Sequence, residues 1–302
     1  MPVAGAPVIA ILLGVAARTA GALPARYGRG IAYSSRTVLQ AAIVASGFDI
    51  SLRTIFRTGL STLPICLGTI AVALACAIFV GRLLRLEIKL RQLVGFGTAI
   101  CGVSAIAAVS LVTEPAEEDI ALAVATIFCY NIVAVLTFPM LGHALGLSQA
   151  QFGVWAGTAI NDTSSVVAAG FSYGHEAGVR ATIVKLTRAT LILPTVAAIA
   201  ALQLRARREA CNPIPWARIV PWFILWFLVA ALVNTIGLVP AAWHDAITVI
   251  AGFLISTALA AIGLQTTLSR ILSAGARPLA LGFILWAAVA VSSLVFQHVA
   301  GL

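Results

Sequence analysis

The chain has 302 residues, of which 61% are hydrophobic and only 10% are charged, and its formal net charge is +9. Soluble domains carry about 25% charged residues, so the composition excludes an ordinary soluble protein and predicts an integral membrane protein without a separate soluble domain. The basic residues collect in short connections between apolar stretches, which membrane topology explains better than nucleic-acid binding.

Ten apolar segments have about the length needed to cross a bilayer core of about 30 Å, which takes roughly 20 residues per helix. These segments cover about residues 3–18, 31–48, 60–81, 91–112, 119–141, 150–172, 178–203, 217–236, 241–263 and 278–298. Residues 1–20 lack the charged start of a signal peptide, so we interpret them as a helix of the mature protein. The pattern predicts an all-α, multi-pass inner-membrane protein that forms a single domain over residues 1–302.

The connections between these segments predict an orientation in the membrane. The second connection carries Arg53 and Arg57, and the fourth, "TEPAEED", is acidic. The main basic clusters lie in the first, third, seventh and ninth connections, at Arg18–Arg36, Arg82–Arg91, Arg205–Arg218 and Arg270–Arg277. The positive-inside rule therefore places the odd connections in the cytoplasm and both ends of the chain outside.

Three ionisable side chains, Asp162, Lys185 and Arg188, fall inside predicted membrane segments. With a rise of about 1.5 Å per residue, Asp162 lies about 17 Å and Arg188 about 15 Å into adjacent segments, close to the bilayer midplane. Lys185 lies one turn from Arg188, and its long stem allows its ammonium group to reach toward an interface. The charges either form a salt bridge that ties two helices together or line a polar site, and charges at this depth favour a site.

The stretch around Asp162 has a second copy upstream. Residues 97–106 read "GTAICGVSAI" and residues 157–166 read "GTAINDTSSV", and each copy is followed by "ATI" and a helix that reaches a proline. This likeness predicts a local repeat that comprises residues 91–141 and 150–203. The sequence leaves open whether the repeat is parallel or inverted.

Both copies carry residues that weaken a helix at mid-membrane. Glycine disfavours helix, and Asn, Asp, Ser and Thr compete for its backbone hydrogen bonds. We therefore predict about ten transmembrane helices, two of them discontinuous and meeting near the midplane, with Ser104 and either Asp162 or Thr163 as caps of the second halves. Close packing of small residues would explain the glycines but not the cluster of polar side chains.

Such breaks favour a small anionic ligand. Half-helix N-termini carry partial positive charge, and Lys185 and Arg188 add two full charges, while hydroxyl and amide groups can donate hydrogen bonds. Asp162 is a candidate proton-coupling group, and the coupling ion, H⁺ or Na⁺, stays open. The predicted binding residues are Thr98, Cys101, Gly102, Ser104, Thr158, Asn161, Asp162, Thr163, Ser164, Ser165, Lys185 and Arg188.

Several stretches together resemble the YeiH-type family of proposed sulfate exporters. They include "GTAICGVSAIAAV" (97–109), "FGVWAGTAI" (152–160) and "ATIVKLTRATLILP" (181–194), and the resemblance covers almost the whole chain. It implies an inner-membrane exporter with crossed, broken helices, similar in outline to bile-acid-symporter-like folds. The family usually reads His-Glu-Val-Ala-Gln where this chain has residues 161–165, so the substrate and any His-dependent proton relay stay open.

The sequence thus predicts a secondary transporter of a small anion, sulfate or a related oxyanion or organic acid, working by alternating access in the lipid bilayer. A sodium- or proton-coupled organic-anion symporter is an alternative. Alternatives of other classes are an intramembrane enzyme, with Ser104 or Ser164 as nucleophile and Lys185 as base, and a non-transporting scaffold or sensor. The five cysteines form no CxxC pair and the four histidines no HExxH motif, so we predict no metal or other cofactor, and a homo-oligomer stays open.

Overall fold

The computed structural model of the protein describes residues 6–21, 25–207, 222–265 and 275–301, and these residues are helical with short connections and contain no strand. The first half of the chain forms α1 (Ala6–Thr19), α2 (Gly28–Tyr33), α3 (Leu39–Gly47), α4 (Leu52–Leu83), α5 (Ile88–Ala99), α6 (Val103–Thr113) and α7 (Glu117–Ala144). The second half forms α8 (Gln149–Ala159), α9 (Thr163–Tyr173), α10 (His175–Thr190), α11 (Ile192–Arg207), α12 (Trp222–Thr235), α13 (His244–Gln265) and α14 (Ala276–Val299).

Within the described residues, five stretches are long and apolar enough to cross a membrane. They are Leu52–Leu83, Glu117–Ala144, His175–Ile199, His244–Gln265 and Ala276–Val299, and the shorter helices α6 and α12 are also apolar. Large apolar side chains such as Phe79, Phe253 and Val291 are exposed on their outer faces, as lipid contact requires. The prediction of an all-α membrane protein is confirmed, while the number of ten spans stays a prediction.

Each of the ten predicted segments overlaps at least one helix, but one predicted connection is wrong. Ser51 accepts a hydrogen bond from the backbone N–H of Thr54 and starts α4 at Leu52, eight residues before the predicted segment. Arg53 and Arg57 therefore lie in the first turns of a helix and not in a loop. Four residues named from the sequence lie outside the described residues. They are Cys211 and, from the seventh and ninth connections, Arg208, Arg218 and Arg270.

The helices pack in two groups. In the first, α1 and α3 pack against α13, and α12 packs against α3. In the second, α10 packs against α4, α8 and α9, while α14 packs against α4, α5, α7 and α8. Contacts of α9 with α1 and α13, and of α4 with α12, join the two groups. The two helix groups therefore meet at α9, next to the predicted binding residues at its start.

Glycines bring α10 unusually close to α8 and α9. A Cβ at Gly157 on α8 would lie 2.7 Å from the Cβ of Val184 and 2.8 Å from the carbonyl oxygen of Ala181, both on α10. A Cβ at Gly170 on α9 would lie 2.8 Å from the Cα of Gly178 on α10. Since real Cβ atoms do not approach this closely, only glycine fits these positions. This packing places the side chains of α10 against the ends of α8 and α9.

Candidate functional site

The first helix interruption lies between α5 and α6. The helix α5 ends at Ala99, and α6 begins at Val103 after Gly102, whose backbone has φ +68° and ψ −127°. Residues with a Cβ rarely adopt a positive φ, so Gly102 allows the sharp change of direction. Ile100 and Cys101, which complete the interruption, are buried. The predicted capping role of Ser104 is wrong, because Gly102 occupies the N-cap position and no side chain caps α6.

The second interruption lies between α8 and α9. The helix α8 ends at Ala159, and Asp162 is the N-cap of α9, as predicted. One carboxylate oxygen of Asp162 accepts hydrogen bonds from the backbone N–H groups of Ser164, at 3.0 Å, and Ser165, at 3.3 Å, and from the Ser164 hydroxyl. A carboxylate is favoured there because the start of a helix carries partial positive charge.

The two interruptions lie in contact with each other. A Cβ at Gly102 would lie 3.5 Å from the carbonyl oxygen of Asn161. The ammonium group of Lys185 joins them directly, because it donates to the carbonyl oxygens of Ile100 and Ile160, each at 2.9 Å. Residues 60 positions apart in the two copies, 100 and 160, thus bind the same nitrogen atom. The internal repeat itself stays a prediction.

Arg188 binds the same two helix ends one turn further along α10. Its Nε donates to the carbonyl oxygen of Ala99 at 2.7 Å, one terminal nitrogen donates to that of Thr98 at 3.1 Å, and the other donates to that of Thr158. Arg188 and Lys185 are both completely buried. Lys185 therefore does not use its long stem to reach an interface, since its ammonium group is held at the interruptions.

The partners of the two cations are main-chain carbonyl groups and not a carboxylate. Among the described residues, no ion pair joins Asp162 to Lys185 or Arg188, so the alternative of an internal salt bridge is wrong for this structure. The C-terminal end of a helix carries about half a negative charge, so the ends of α5 and α8 together carry about one. Lys185 and Arg188 stabilise these two ends, which would otherwise have unpaired carbonyl groups in the membrane.

The remaining predicted binding residues differ in their surroundings. Thr158 points away from the interruption, because its hydroxyl bonds to the Ser293 hydroxyl of α14 at 2.6 Å. Ser104 is exposed on α6, whereas Thr98 is fully buried and its hydroxyl has no hydrogen-bond partner. Thr163 and Ser164 are half-buried, and Asn161 and Ser165 are buried. The structure therefore gathers Cys101, Gly102, Asn161, Asp162, Ser164 and Ser165 at the crossing.

Asn131 is a central residue that the sequence analysis missed. It is buried in the middle of α7, and its side-chain oxygen accepts from the backbone N–H groups of Asn161, at 3.2 Å, and Asp162, at 3.3 Å. Its side-chain NH₂ has no hydrogen-bond partner. A single asparagine in the apolar stretch "CYNIVAV" was the available signal, and it lies outside the two "GTAI" stretches and the charged segment of α10.

A small cavity adjoins the N-terminus of α9. The polar residues Asn131, Ser164 and Ser165 line it, together with apolar side chains of α7 and α13 such as Phe128, Leu259 and Ile262. The cavity thus lies between the two helix groups, at the point where they meet on α9. Asn131, whose NH₂ has no hydrogen-bond partner, and the start of α9, which Asp162 caps, both border this cavity.

A second polar cluster joins residues that are far apart in sequence. Asp49, after α3, accepts from His244 Nδ1 at 2.9 Å through one oxygen and from the Thr248 hydroxyl at 3.2 Å through the other, and His175 Nε2 lies 3.8 Å from the oxygen that Thr248 binds. A cavity between α3, α9, α10 and α13 opens beside this cluster. No group of three or more His, Cys, Asp or Glu side chains in the described part of the chain is arranged to hold a metal ion.

Comparison with known proteins shows relatives over nearly the full length of the chain. Residues 1–282 match the sequence model of a family described as "Conserved hypothetical protein 698". A UPF0324 membrane protein of Streptococcus pyogenes serotype M18 is 38% identical over 306 residues, which cover 98% of this chain and 90% of the relative. One from Streptococcus agalactiae serotype V is 35% identical over 309 residues, with 100% of this chain and 92% of the relative covered.

A third relative comes from a different bacterial genus. It is a UPF0324 membrane protein of Fusobacterium nucleatum, 35% identical over 323 residues, with 100% of this chain and 92% of the relative covered. No solved structure matches the chain. The names of the relatives and the apolar helices together place the chain in the cell membrane as a multi-pass protein.

Proposed function

The chain belongs to the UPF0324 membrane protein family, and on that premise we propose that it is a secondary transporter that carries a small anion across the cell membrane by alternating access. The observation that carries this proposal is the contact between two helix interruptions, 100–102 and 160–162, beside completely buried cations. Transporters place substrate and ion sites where discontinuous helices meet near the midplane. We take α5–α6 and α8–α9 to be two such discontinuous spans.

The charge at the crossing favours an anion. Lys185 and Arg188 contribute two positive charges, Asp162 contributes one negative charge, and the ends of α5 and α8 contribute about one more negative charge. The N-termini of α6 and α9 restore about one positive charge, which leaves a net charge of about +1. The cations are occupied by carbonyl groups, so the anion is expected to be attracted by their field and bound by other residues.

We place the anion at the N-terminus of α9. Asn131, Ser164 and Ser165 line the cavity there, and the donors that we assign to the anion are the unpartnered NH₂ of Asn131 and the Ser165 hydroxyl, since the Ser164 hydroxyl donates to Asp162. This assignment moves the centre of the predicted site away from Lys185 and Arg188 and towards a residue of α7. Sulfate export rests on the resemblance of the sequence, and the site supports only the broader class of small anions.

A second candidate, an organic-anion symporter, is favoured by one specific observation. The remaining wall of the cavity is apolar and includes Phe128 of α7 and Leu259 and Ile262 of α13. An organic acid would place its charged group at the helix end and its carbon chain against this wall, whereas sulfate has no apolar part to place there. The two candidates differ in substrate and share the same binding groups.

The described geometry supports transport over the intramembrane enzyme. That alternative requires a serine and a base in contact, but Lys185 donates to two carbonyl groups and Ser164 donates to Asp162. Ser104 is exposed on α6, away from these groups. We therefore propose that the protein acts on its substrate by moving it and not by cleaving it.

Flux measurements in proteoliposomes test the proposal. The purified protein is reconstituted, and the uptake of radiolabelled sulfate and of short-chain carboxylates is followed against protein-free vesicles. We expect saturable flux of at least one anion. Asn131→Asp keeps the acceptor for the backbone of residues 161 and 162 but replaces the donor, so KM should rise about 10-fold or more.

The same exchange at Asn234, in the last turn of α12, provides the matched control. Asn234→Asp changes charge and volume identically but lies outside the crossing, so its flux should equal that of the wild type. Absence of flux for every anion tested would reject the transporter. Flux that is unchanged in Asn131→Asp would reject the proposed binding position and leave transport itself intact.

A further inference from the structure

The carbonyl groups at the two crossing helix ends form a cradle of the kind that binds a cation. In transporters with discontinuous helices, unwound carbonyl groups and helix C-termini coordinate the coupling Na⁺. Here, five such carbonyl groups point at two side chains of α10. They are those of Thr98, Ala99, Ile100, Thr158 and Ile160.

The cations that fill this cradle are part of the chain. The ammonium group of Lys185 takes the position that a metal ion would take, because it donates to carbonyl groups of both interruptions at 2.9 Å each. Arg188 spans both helix ends in the same way. Neither side chain is accessible to solvent, so the cradle has no open face on the side of α10.

The charge balance leaves no attraction for a further cation in the cradle. Two helix ends supply about one negative charge and the two side chains supply two positive charges, and Asp162, at the start of α9, brings the local sum to about zero. A sodium ion at these carbonyl groups would add a third positive charge next to the other two. It would also have to displace hydrogen bonds that are already formed.

We propose that Lys185 and Arg188 are tethered counter-ions that occupy the place of a coupling sodium ion, so that the crossing binds no sodium. For the transport cycle, this inference rests on the proposed function and means that anion flux needs no sodium gradient. The inference that the crossing binds no sodium does not depend on the proposed function, since it concerns only which cations the carbonyl groups bind.

Removal of one tethered charge provides the test. Lys185→Ser frees the carbonyl groups of Ile100 and Ile160 and leaves a cavity with one cation and about one negative charge. We expect this variant to acquire sodium binding. Its Tm in detergent should rise by about 3 °C or more as NaCl replaces choline chloride at constant ionic strength, whereas the Tm of the wild type should not change.

Two further variants serve as controls. Lys185→Arg keeps the charge at the cradle and should show no response to sodium. Lys89→Ser removes a lysine that donates to the carbonyl oxygen of Glu114, at the C-terminus of α6 on the protein surface, at 2.6 Å. It deletes the same kind of contact where water replaces it, so it should not acquire sodium binding either.

Several outcomes decide the question. A saturable rise in the Tm of the wild type with Na⁺, but not with K⁺, would overturn the proposal. A folded Lys185→Ser variant that is indifferent to sodium would also overturn it. Recovery of folded Lys185→Ser only when sodium is present during extraction would support the proposal. If the variant is never recovered, the Tm of the wild type as a function of Na⁺ concentration decides. None of these readouts requires anion flux, so a failure of the transport proposal is distinguishable.

Discussion

Arg188→Leu separates the insertion of the chain from its folding. The substitution removes a charge whose burial at mid-membrane costs about 2.5–3.5 kcal/mol on insertion scales, so the variant should enter the membrane at least as well as the wild type. It also deprives the carbonyl groups of Thr98, Ala99 and Thr158 of a donor in a fully buried place. The two effects have opposite signs.

Over most of its range the folding term is the larger one, at about 3–9 kcal/mol for three carbonyl groups. Each buried carbonyl group left without a partner costs about 1–3 kcal/mol, so three cost about 3 kcal/mol or more even at the lower limit. Total stabilities are about 5–15 kcal/mol, so the variant should lose a substantial part of the wild-type stability. Arg188→Lys keeps the charge but replaces the three nitrogens of the guanidinium group with a single nitrogen on a shorter side chain, which cannot reach all three carbonyl groups as the guanidinium group does, so it should lie between Arg188→Leu and the wild type.

Thermal melting of the detergent-solubilised protein, followed by size-exclusion chromatography, measures this effect. Arg180→Leu is the matched control, because Arg180 lies on the same helix and forms a 3.7 Å ion pair with the exposed Glu176. Exposed pairs contribute about 1 kcal/mol or less. If Arg188→Leu melts at the same temperature as Arg180→Leu, the carbonyl contacts do not stabilise the fold and the reasoning is refuted.

Two further predictions concern the backbone turn at the crossing and the distant Asp49 cluster. Gly102→Ala should lower the free energy of unfolding by about 1–3 kcal/mol, because the φ of Gly102 is +68°. The control Gly252→Ala, in an open part of α13, should be neutral or stabilise by up to about 1 kcal/mol. Equal effects of the two substitutions in thermal melting would argue against strain at Gly102. Asp49→Ala removes the acceptor of His244 and Thr248 and should destabilise by about 1–2 kcal/mol, while Asp49→Asn should retain most of the wild-type stability. Melting curves that rank Asp49→Asn below Asp49→Ala would contradict this.

The positions of the helix ends follow from local chemistry, so much of the fold was accessible from the sequence. Helices α5 and α8 end inside the two "GTAI" stretches, where glycine and short polar side chains compete with the helix. Asp162 caps α9 for the reason that made it a candidate, since its carboxylate reaches the backbone N–H groups two and three residues later. Such signals depend only on neighbours in the chain.

The partners of the buried cations were not accessible in this way. Every residue carries a carbonyl group, so the sequence does not mark those of Ile100 and Ile160 as acceptors for Lys185. Only the crossing of the two helices brings them to one nitrogen atom. The direction of Thr158, toward Ser293, likewise depends on how α8 is rotated against α14. Helix rotation and crossing are properties of packing, which the pattern of residues along one segment does not contain.

The glycine contacts of α10 have a mechanical consequence. At Gly170 the backbones of α9 and α10 are in direct contact, and at Gly157 the backbone of α8 lies against the Cβ of Val184 and the carbonyl group of Ala181, so very little side-chain volume separates α10 from its two neighbours. We therefore expect α8, α9 and α10 to move as one rigid unit, together with Lys185 and Arg188 on α10. Any rearrangement that opens the protein to the opposite side of the membrane must take place at seams lined by deformable side chains, such as the one between α9 and α13.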